Sequence, residues 1–156
     1  MTIDQSDNIN YNQLLNYAFK LLGQRRYTEK KLIKKLKAKD KNTCDIPKVV
    51  SRLNELNYLD DLDYAMAYIR NLKQSTPCGK YLMSQKLKQQ GIDNINIYKA
   101  IEASEIDENS LAEKALEKKE RSFKSLSKEK RKQKALNFLK SRGFCIEVIY
   151  SKINSI

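Results

Sequence analysis

From Tyr11 to the end of the chain, apolar residues recur every three or four positions, the period of helices with one inward face. Leu14, Leu15, Ala18, Phe19 and Leu22 make the first stripe, which Gly23 is expected to close. Thr28 is placed to cap a second helix with Leu32, Ile33 and Leu36 inward. Asp45 is placed to cap a third, with Pro47 in its first turn and Ile46, Val49, Val50, Leu53 and Leu56 inward. The pattern then starts again. Tyr64, Ala65, Tyr68, Ile69 and Leu72 form a stripe that Ser75-Thr76-Pro77-Cys78-Gly79 breaks. Leu82, Met83 and Leu87 lead to Gly91, a natural left-handed stop, and Asp93 or Asn94 opens a helix with Ile97, Ala100 and Ile101. A third round starts near Asn109 with Leu111, Ala112, Ala115 and Leu116, followed by a longer link around Ser122 to Ser127. Ser127 can cap a helix burying Ala135, Leu136 and Leu139 that ends at Arg142-Gly143-Phe144, and a short helix carries Val148, Ile149 and Ile153. No run alternates with a period of two, and only four Gly and two Pro occur, so the expected class is all-α.

The three rounds share a register. Leu36-Lys37-Ala38-Lys39-Asp40, Leu87-Lys88-Gln89-Gln90-Gly91 and Leu139-Lys140-Ser141-Arg142-Gly143 stand 51 and 52 residues apart. Ten residues beyond each leading Leu come Ile46, Ile97 and Ile149, and fourteen beyond come Val50, Ile101 and Ile153. The expected architecture is three tandem three-helix repeats in an extended or curved array, over 11–59, 60–107 and 108–156, after a flexible tail at 1–10. Repeats of this size have thin cores alone and lend each other buried surface. Arrays of this kind usually bind along a surface and seldom enclose a catalytic pocket.

Composition narrows the function. There is no histidine, which removes the commonest general base and metal ligand. The odd set Cys44, Cys78 and Cys145, with no C-x-x-C, reads as reduced thiols of no special role. No apolar run is long enough to span a bilayer and the first residues do not read as a signal peptide, so a cytoplasmic location is expected. Net charge is +12 and unevenly placed: residues 1–61 hold 12 Lys/Arg against 8 Asp/Glu, 62–108 hold 6 against 6, and 109–156 hold 13 against 5. Such an excess favours an anionic polymer or an acidic partner, and argues mildly for a monomer.

Two basic constellations follow. Lys30, Lys34, Lys37 and Lys41 fall at i, i+4, i+7 and i+11 on one helix face with no acid to relieve them, either a solvated face or an anion-binding one. The denser cluster includes Lys114, Lys118, Lys119, Arg121, Lys124, Lys128, Lys130, Arg131, Lys132 and Lys134, suited to salt-sensitive contact with a phosphate backbone. Phe123 is the one interleaved aromatic, so base stacking is not suggested. Arg142 can offer its fork to a carboxylate or phosphate, or settle a helix C-terminus. Asp60 and Asp61 read as caps fixing one repeat against the next, not as an acid/base or metal pair. Glu102, Glu105, Asp107 and Glu108 read as solvated or as a protein contact, and Tyr17, Tyr64, Tyr68 and Tyr98 as core filling with the hydroxyl at the surface. No phosphate loop, nucleophile elbow or zinc pattern occurs, so no catalytic, metal or cofactor site is expected.

The joint Tyr58-Leu59-Asp60-Asp61 followed by Tyr64-Ala65, Gly79, Gly91-Ile92 and the closing Arg142-Gly143-Phe144 resemble the RecX family over roughly Tyr11 to Asn154. Asp40 departs from the pattern, standing where the later repeats have Gly91 and Gly143; an aspartate enters the left-handed region at modest cost, so the turn is expected to survive. The resemblance implies a small bacterial regulator of the recombinase RecA. It implies a protein without chemistry of its own that lies along the groove of the RecA filament on DNA. There such proteins dampen ATP hydrolysis, strand exchange and co-protease activity. The alternative is a stand-alone basic helical DNA-binding protein. Against it, the third helices are not the basic ones: Ile46 to Leu56 holds Lys48 and Arg52, and Ile146 to Ile153 holds Lys152 alone.

Overall fold

The structure, a computed structural model, describes residues 5–40 and 44–156, with side chains from Tyr11 onward. Among the described residues the secondary structure is helical throughout, with no strand. The helices are α1 (Gln5–Gln24), α2 (Glu29–Lys39), α3 (Ile46–Glu55), α4 (Asp61–Ser75), α5 (Lys80–Gln89), α6 (Asn94–Ala103), α7 (Glu108–Phe123), α8 (Lys128–Ser141) and α9 (Ile146–Asn154). They form two compact units, Met1–Tyr64 with Gln90–Ile92, and Ala65–Gln89 with Asp93–Ile156.

In the first unit α1, α2 and α3 pack on one another. Their shared core is built from Leu14, Ala18, Leu32, Leu36, Val49 and Leu53, and Leu59 drops into it from the α3–α4 link. In the second unit α5 packs on α6, and α7, α8 and α9 pack mutually. Ala112 and Ala115 on α7 and Ala135 on α8 are buried small residues, with Leu139, Val148 and Ile149 filling the rest.

Most helix starts follow the sequence. Thr28 accepts the Lys31 amide at 3.2 Å, Asp93 the Asn96 amide at 2.9 Å, and Asp60 the Asp63 amide at 3.0 Å, each satisfying an orphan donor. The Asn96 amide is the main reason that the Asp93 carboxyl is held below its ordinary pKa. Three details differ from expectation. Gly23 does not stop α1, which runs on to Gln24, and the helix begins at Gln5, within the stretch expected as a tail; residues 1–4 lie outside the described residues. Asp45 precedes α3 without a side-chain cap bond, because its own backbone is already helical (φ −89°, ψ −12°) and aims the carboxylate elsewhere. Asp40 is extended (φ −132°), whereas Gly91 and Gly143 are left-handed at φ 91° and 73°, so the turn shared by the later repeats is not made in the first. An aspartate pays a modest cost there that a glycine does not, and α2 ends at an extended Asp40 instead.

Two joints repeat the same device, one inside each unit. In the first, the Thr28 hydroxyl donates to the Gln90 carbonyl at 2.8 Å, and Asp61 accepts the Glu29 amide at 3.0 Å. In the second, the Gly79 amide donates to the Arg142 carbonyl at 2.8 Å, and Glu108 accepts the Lys80 amide at 2.7 Å. Glu29 and Lys80 are the first residues of α2 and α5, while Asp61 and Glu108 are the first residues of α4 and α7. Each acid therefore caps an earlier helix from the start of a later one, where both positive dipole ends favour its charge. Glu108 also accepts the Cys145 amide at 3.1 Å at the start of α9. Glu108, read as solvated, is thus the pin of the second joint.

The second joint tolerates no side chain at its centre. A Cβ on Gly79 would lie 2.1 Å from the Gly143 carbonyl oxygen, a backbone atom that cannot swing aside. Gly79→Ala is expected to destabilise the fold by about 1–3 kcal/mol, read as a lower urea midpoint. Glu108→Gln keeps the shape but removes the charge from two backbone hydrogen bonds. It is expected to cost about 1–2 kcal/mol in the same measurement, and an unchanged midpoint would remove the pin.

Candidate functional site

The basic surfaces fall into side chains that the fold consumes and side chains that it leaves outward. On α2, Lys30, Lys34 and Lys37 are all exposed, while Lys41 lies outside the described residues. The Lys30 stem lies over Gly91, whose added Cβ would sit 2.9 Å from the Lys30 Cβ, so its methylenes close the first joint and its ammonium stays outward. Lys31 donates to the Gln90 side-chain oxygen, as does the Tyr64 hydroxyl at 3.1 Å.

In the second unit the dense cluster is sorted the same way. Lys118 reaches across from α7 to donate to the carbonyls of Gln74 (3.2 Å) and Ser75 (2.8 Å), closing the C-terminus of α4. Lys73 does the same for α6 by donating to the Ser104 carbonyl at 2.7 Å. Lys119 and Arg142 lie over the Phe138 ring at 5.7 and 5.3 Å from its centroid, a cation–π arrangement. Arg142 is also the C-cap of α8, the helix-end role, and among the described residues no ion pair holds its fork. Arg131 turns partly inward, with Nη2 3.4 Å from the Leu126 carbonyl, and Lys132 is half-buried. Lys114, Arg121, Lys124, Lys128, Lys130 and Lys134 remain exposed. Sequence spacing could not separate these groups, because a lysine stem can reach a helix end several turns away in another element.

The structural motif residues are where packing needs them. Leu59 and Phe144 are buried, Asp60 caps α4, and Asp61, Gly79, Gly91 and Gly143 lie in the two joints. Tyr98 is not core: it is 67% exposed, because Ile97 and Ala100 already fill the inward face of α6. Tyr150 on α9 is also exposed, at 54%, and both tyrosines stand eleven residues after their repeat's leading Leu. That shared register was the signal available in the sequence for a recurrent outward aromatic.

Among the described residues no group of three or more His, Cys, Asp or Glu is arranged to hold a metal ion, and no helix is long and apolar enough to cross a membrane. Cys78 is fully buried, and burial pushes its thiol above the ordinary range, against the opposing charges of Lys86 and Arg142. Cys145 is exposed, yet its thiol is also raised, by desolvation and by hydrogen bonding to Glu108.

Comparison with known proteins places this arrangement. Residues 106–153 match the family model described as RecX, third three-helix domain. The chain is 32% identical over 142 residues to the regulatory protein RecX of Chlorobaculum tepidum, covering 91% of this chain and 87% of that protein. The chain belongs to the RecX family of regulatory proteins. A RecX of Actinobacillus pleuropneumoniae is 35% identical over 130 residues, covering 83% of each chain. The crystal structure of RecX from Lactobacillus salivarius superposes with a TM-score of 0.84 at 21% identity, covering 96% of this chain and 99% of that one. The three-helix repeat read from periodicity is thus the fold of RecX structures.

Exposure and thiol chemistry give a direct check on the packing around the second joint. In native protein at mildly alkaline pH, a maleimide is expected to label Cys44 and Cys145 while Cys78 reacts only on unfolding. Native labelling of all three thiols at similar rates, read by intact mass, would contradict the burial of Cys78.

Proposed function

We propose that the chain is a regulator of RecA that acts on the RecA–DNA filament. It lowers ATP hydrolysis, strand exchange and co-protease activity, with no catalysis, metal or cofactor of its own, in the cytoplasm and as a monomer. The observation that carries this reading is the RecX likeness over 91% of the chain, which takes in the joints and not one repeat alone. The outward lysines give the physical means. Lys34 and Lys37 on α2, and Lys114, Arg121, Lys124, Lys128 and Lys134 on α7, α8 and their link, supply a salt-sensitive attraction for phosphate, with Lys30 and Lys132 adding to it. Lys118, Arg131 and Arg142 act inside the fold and contribute less to that surface. The residue range 11–59, 60–107 and 108–156 describes three repeats that meet the filament in succession.

A stand-alone DNA-binding module is disfavoured by the third helices. Large apolar side chains, Ile95, Tyr98, Ile146 and Tyr150, take up exposed positions of α6 and α9, and Lys99 and Lys152 are the only basic residues in those two helices.

The deciding experiment titrates the chain into RecA from the same source and follows single-stranded-DNA-dependent ATP hydrolysis. Inhibition at substoichiometric amounts, with DNA in excess, is the expected outcome. Inhibition that appears only when the chain coats the DNA would overturn the filament reading in favour of simple DNA masking. Lys128→Glu/Lys130→Glu/Lys134→Glu reverses three exposed charges and is expected to abolish inhibition while helicity by circular dichroism is retained. Full inhibition by that variant would remove α8 from the contact surface.

A further inference from the structure

Phe138 on α8 holds two cations that come from different elements. The Lys119 ammonium, on α7, lies 5.7 Å from the centre of its ring, and the Arg142 guanidinium, at the C-cap of α8, lies 5.3 Å from it. The two charges therefore stand no farther apart than those two distances laid end to end. Phe138 and Arg142 are half-buried, whereas Lys119 is exposed. The ring fixes both charges in place, since each is attracted to its electron-rich face. Among the described residues neither cation has an ion-pair partner. Two like charges held this close repel, and an anion bound by both removes that repulsion.

The charged groups around the pair leave the balance positive. α5 holds no acid, and the one acid of α8, Glu129, lies more than two turns before Phe138. On α7, Glu108 is committed to the amides of Lys80 and Cys145, and Glu113 pairs with Lys152. Glu117 and Glu120 border a separate hollow together with Lys124, Arg131 and Lys152, and none of Lys119, Phe138 and Arg142 lines it. On α9, Glu147 is engaged with the Cys145 thiol. A third cation lies near Arg142. Burial raises the Cys78 thiol, and the charges of Lys86 on α5 and of Arg142 both oppose that rise, with Glu108 acting the other way. Lys86 is half-buried and, among the described residues, also lacks an ion-pair partner.

We propose that Lys119 and Arg142, held over Phe138, form a fixed site for one phosphate of a single-stranded nucleic-acid backbone. The guanidinium fork donates to two phosphate oxygens, and the ammonium adds a point charge and a further donor. Phe138 is a positioning residue, touching the cations and not the phosphate. The site deepens the proposed function and rests on it for the choice of ligand, the strand on which the filament forms. The outward lysines give a diffuse attraction, in which Arg142 has little part. A guanidinium already immobilised on a ring loses less freedom on binding, so it serves a local contact better than its exposure suggests.

The test is fluorescence anisotropy of a labelled single-stranded oligonucleotide with the full chain, without RecA and at about 0.15 M salt. Lys119→Gln/Arg142→Gln is expected to weaken binding about tenfold or more. Lys20→Gln/Lys99→Gln removes the same charge from exposed positions elsewhere and is expected to weaken it about twofold or less. Equal losses from the two pairs would show that net charge alone counts, and would overturn the site. Because Arg142 also ends α8, Lys119→Gln alone, at an unchanged melting temperature, is expected to show part of the same loss. Phe138→Leu keeps every charge and is expected to weaken binding as well; wild-type affinity in a folded Phe138→Leu variant would overturn its positioning role. Inorganic phosphate, compared with chloride at equal ionic strength, separates the two sources of phosphate. No extra displacement of the oligonucleotide is expected, and displacement by millimolar phosphate would make a free phosphate, and not a strand, the ligand. If the site variants lose affinity but the wild type does not inhibit RecA, the regulator reading falls and the phosphate site stands.

Discussion

A helix that ends against another element must find partners for its unpaired amides, and here that requirement joins the repeats. The first residues of α2 and α5 present amides that no intrahelical carbonyl can satisfy. Asp61 and Glu108 satisfy them from the starts of α4 and α7. Water could also satisfy them, but a carboxylate already held in place does so without ordering a solvent molecule and adds its charge to the helix end. A small protein made of thin three-helix layers has little core to spare for rigidity. Charge-assisted bonds to backbone atoms therefore add to the close packing at each joint.

The same economy governs the lysines. A chain with 31 Lys and Arg and 19 Asp and Glu carries strong self-repulsion, and the fold turns part of that excess to use at helix C-termini. Lys73 and Lys118 neutralise the negative ends of α6 and α4, where their charge is favourable. What remains outward on α2 and α8 is therefore a selected surface, smaller than the composition suggests. The acids of α7 are sorted in turn: Glu108 serves the joint, while Glu113, Glu117 and Glu120 share one stripe and Glu113 pairs with Lys152. One helix can offer chemically different sides because residues one position apart point about 100° from each other.

For a RecX-family regulator this sorting has a consequence. On the proposed reading the chain acts through its surfaces, which need fixed spacing and not a reactive pocket. The repeated joints supply the spacing inside each unit. The outward aromatics at corresponding places on α6 and α9 show that the repeat extends to exposed side chains as well as to core positions.

The sequence by itself determined the helical class, the three-fold repetition and most of the caps. These depend on local periodicity and on contacts within one turn, which spacing encodes directly. It also marked Gly79, Gly91 and Gly143, since a missing side chain is visible without coordinates. Tertiary structure alone decided that Asp61 and Glu108 cap helices 28 or more residues away and that Gly79 faces Gly143 across a 64-residue separation. It alone separated Lys118 from Lys114, Arg131 from Lys128, and Tyr98 from the core. The physical reason is the same in each case. A polar side chain has several permissible partners, and only the path of the whole chain settles which of them comes within hydrogen-bond reach.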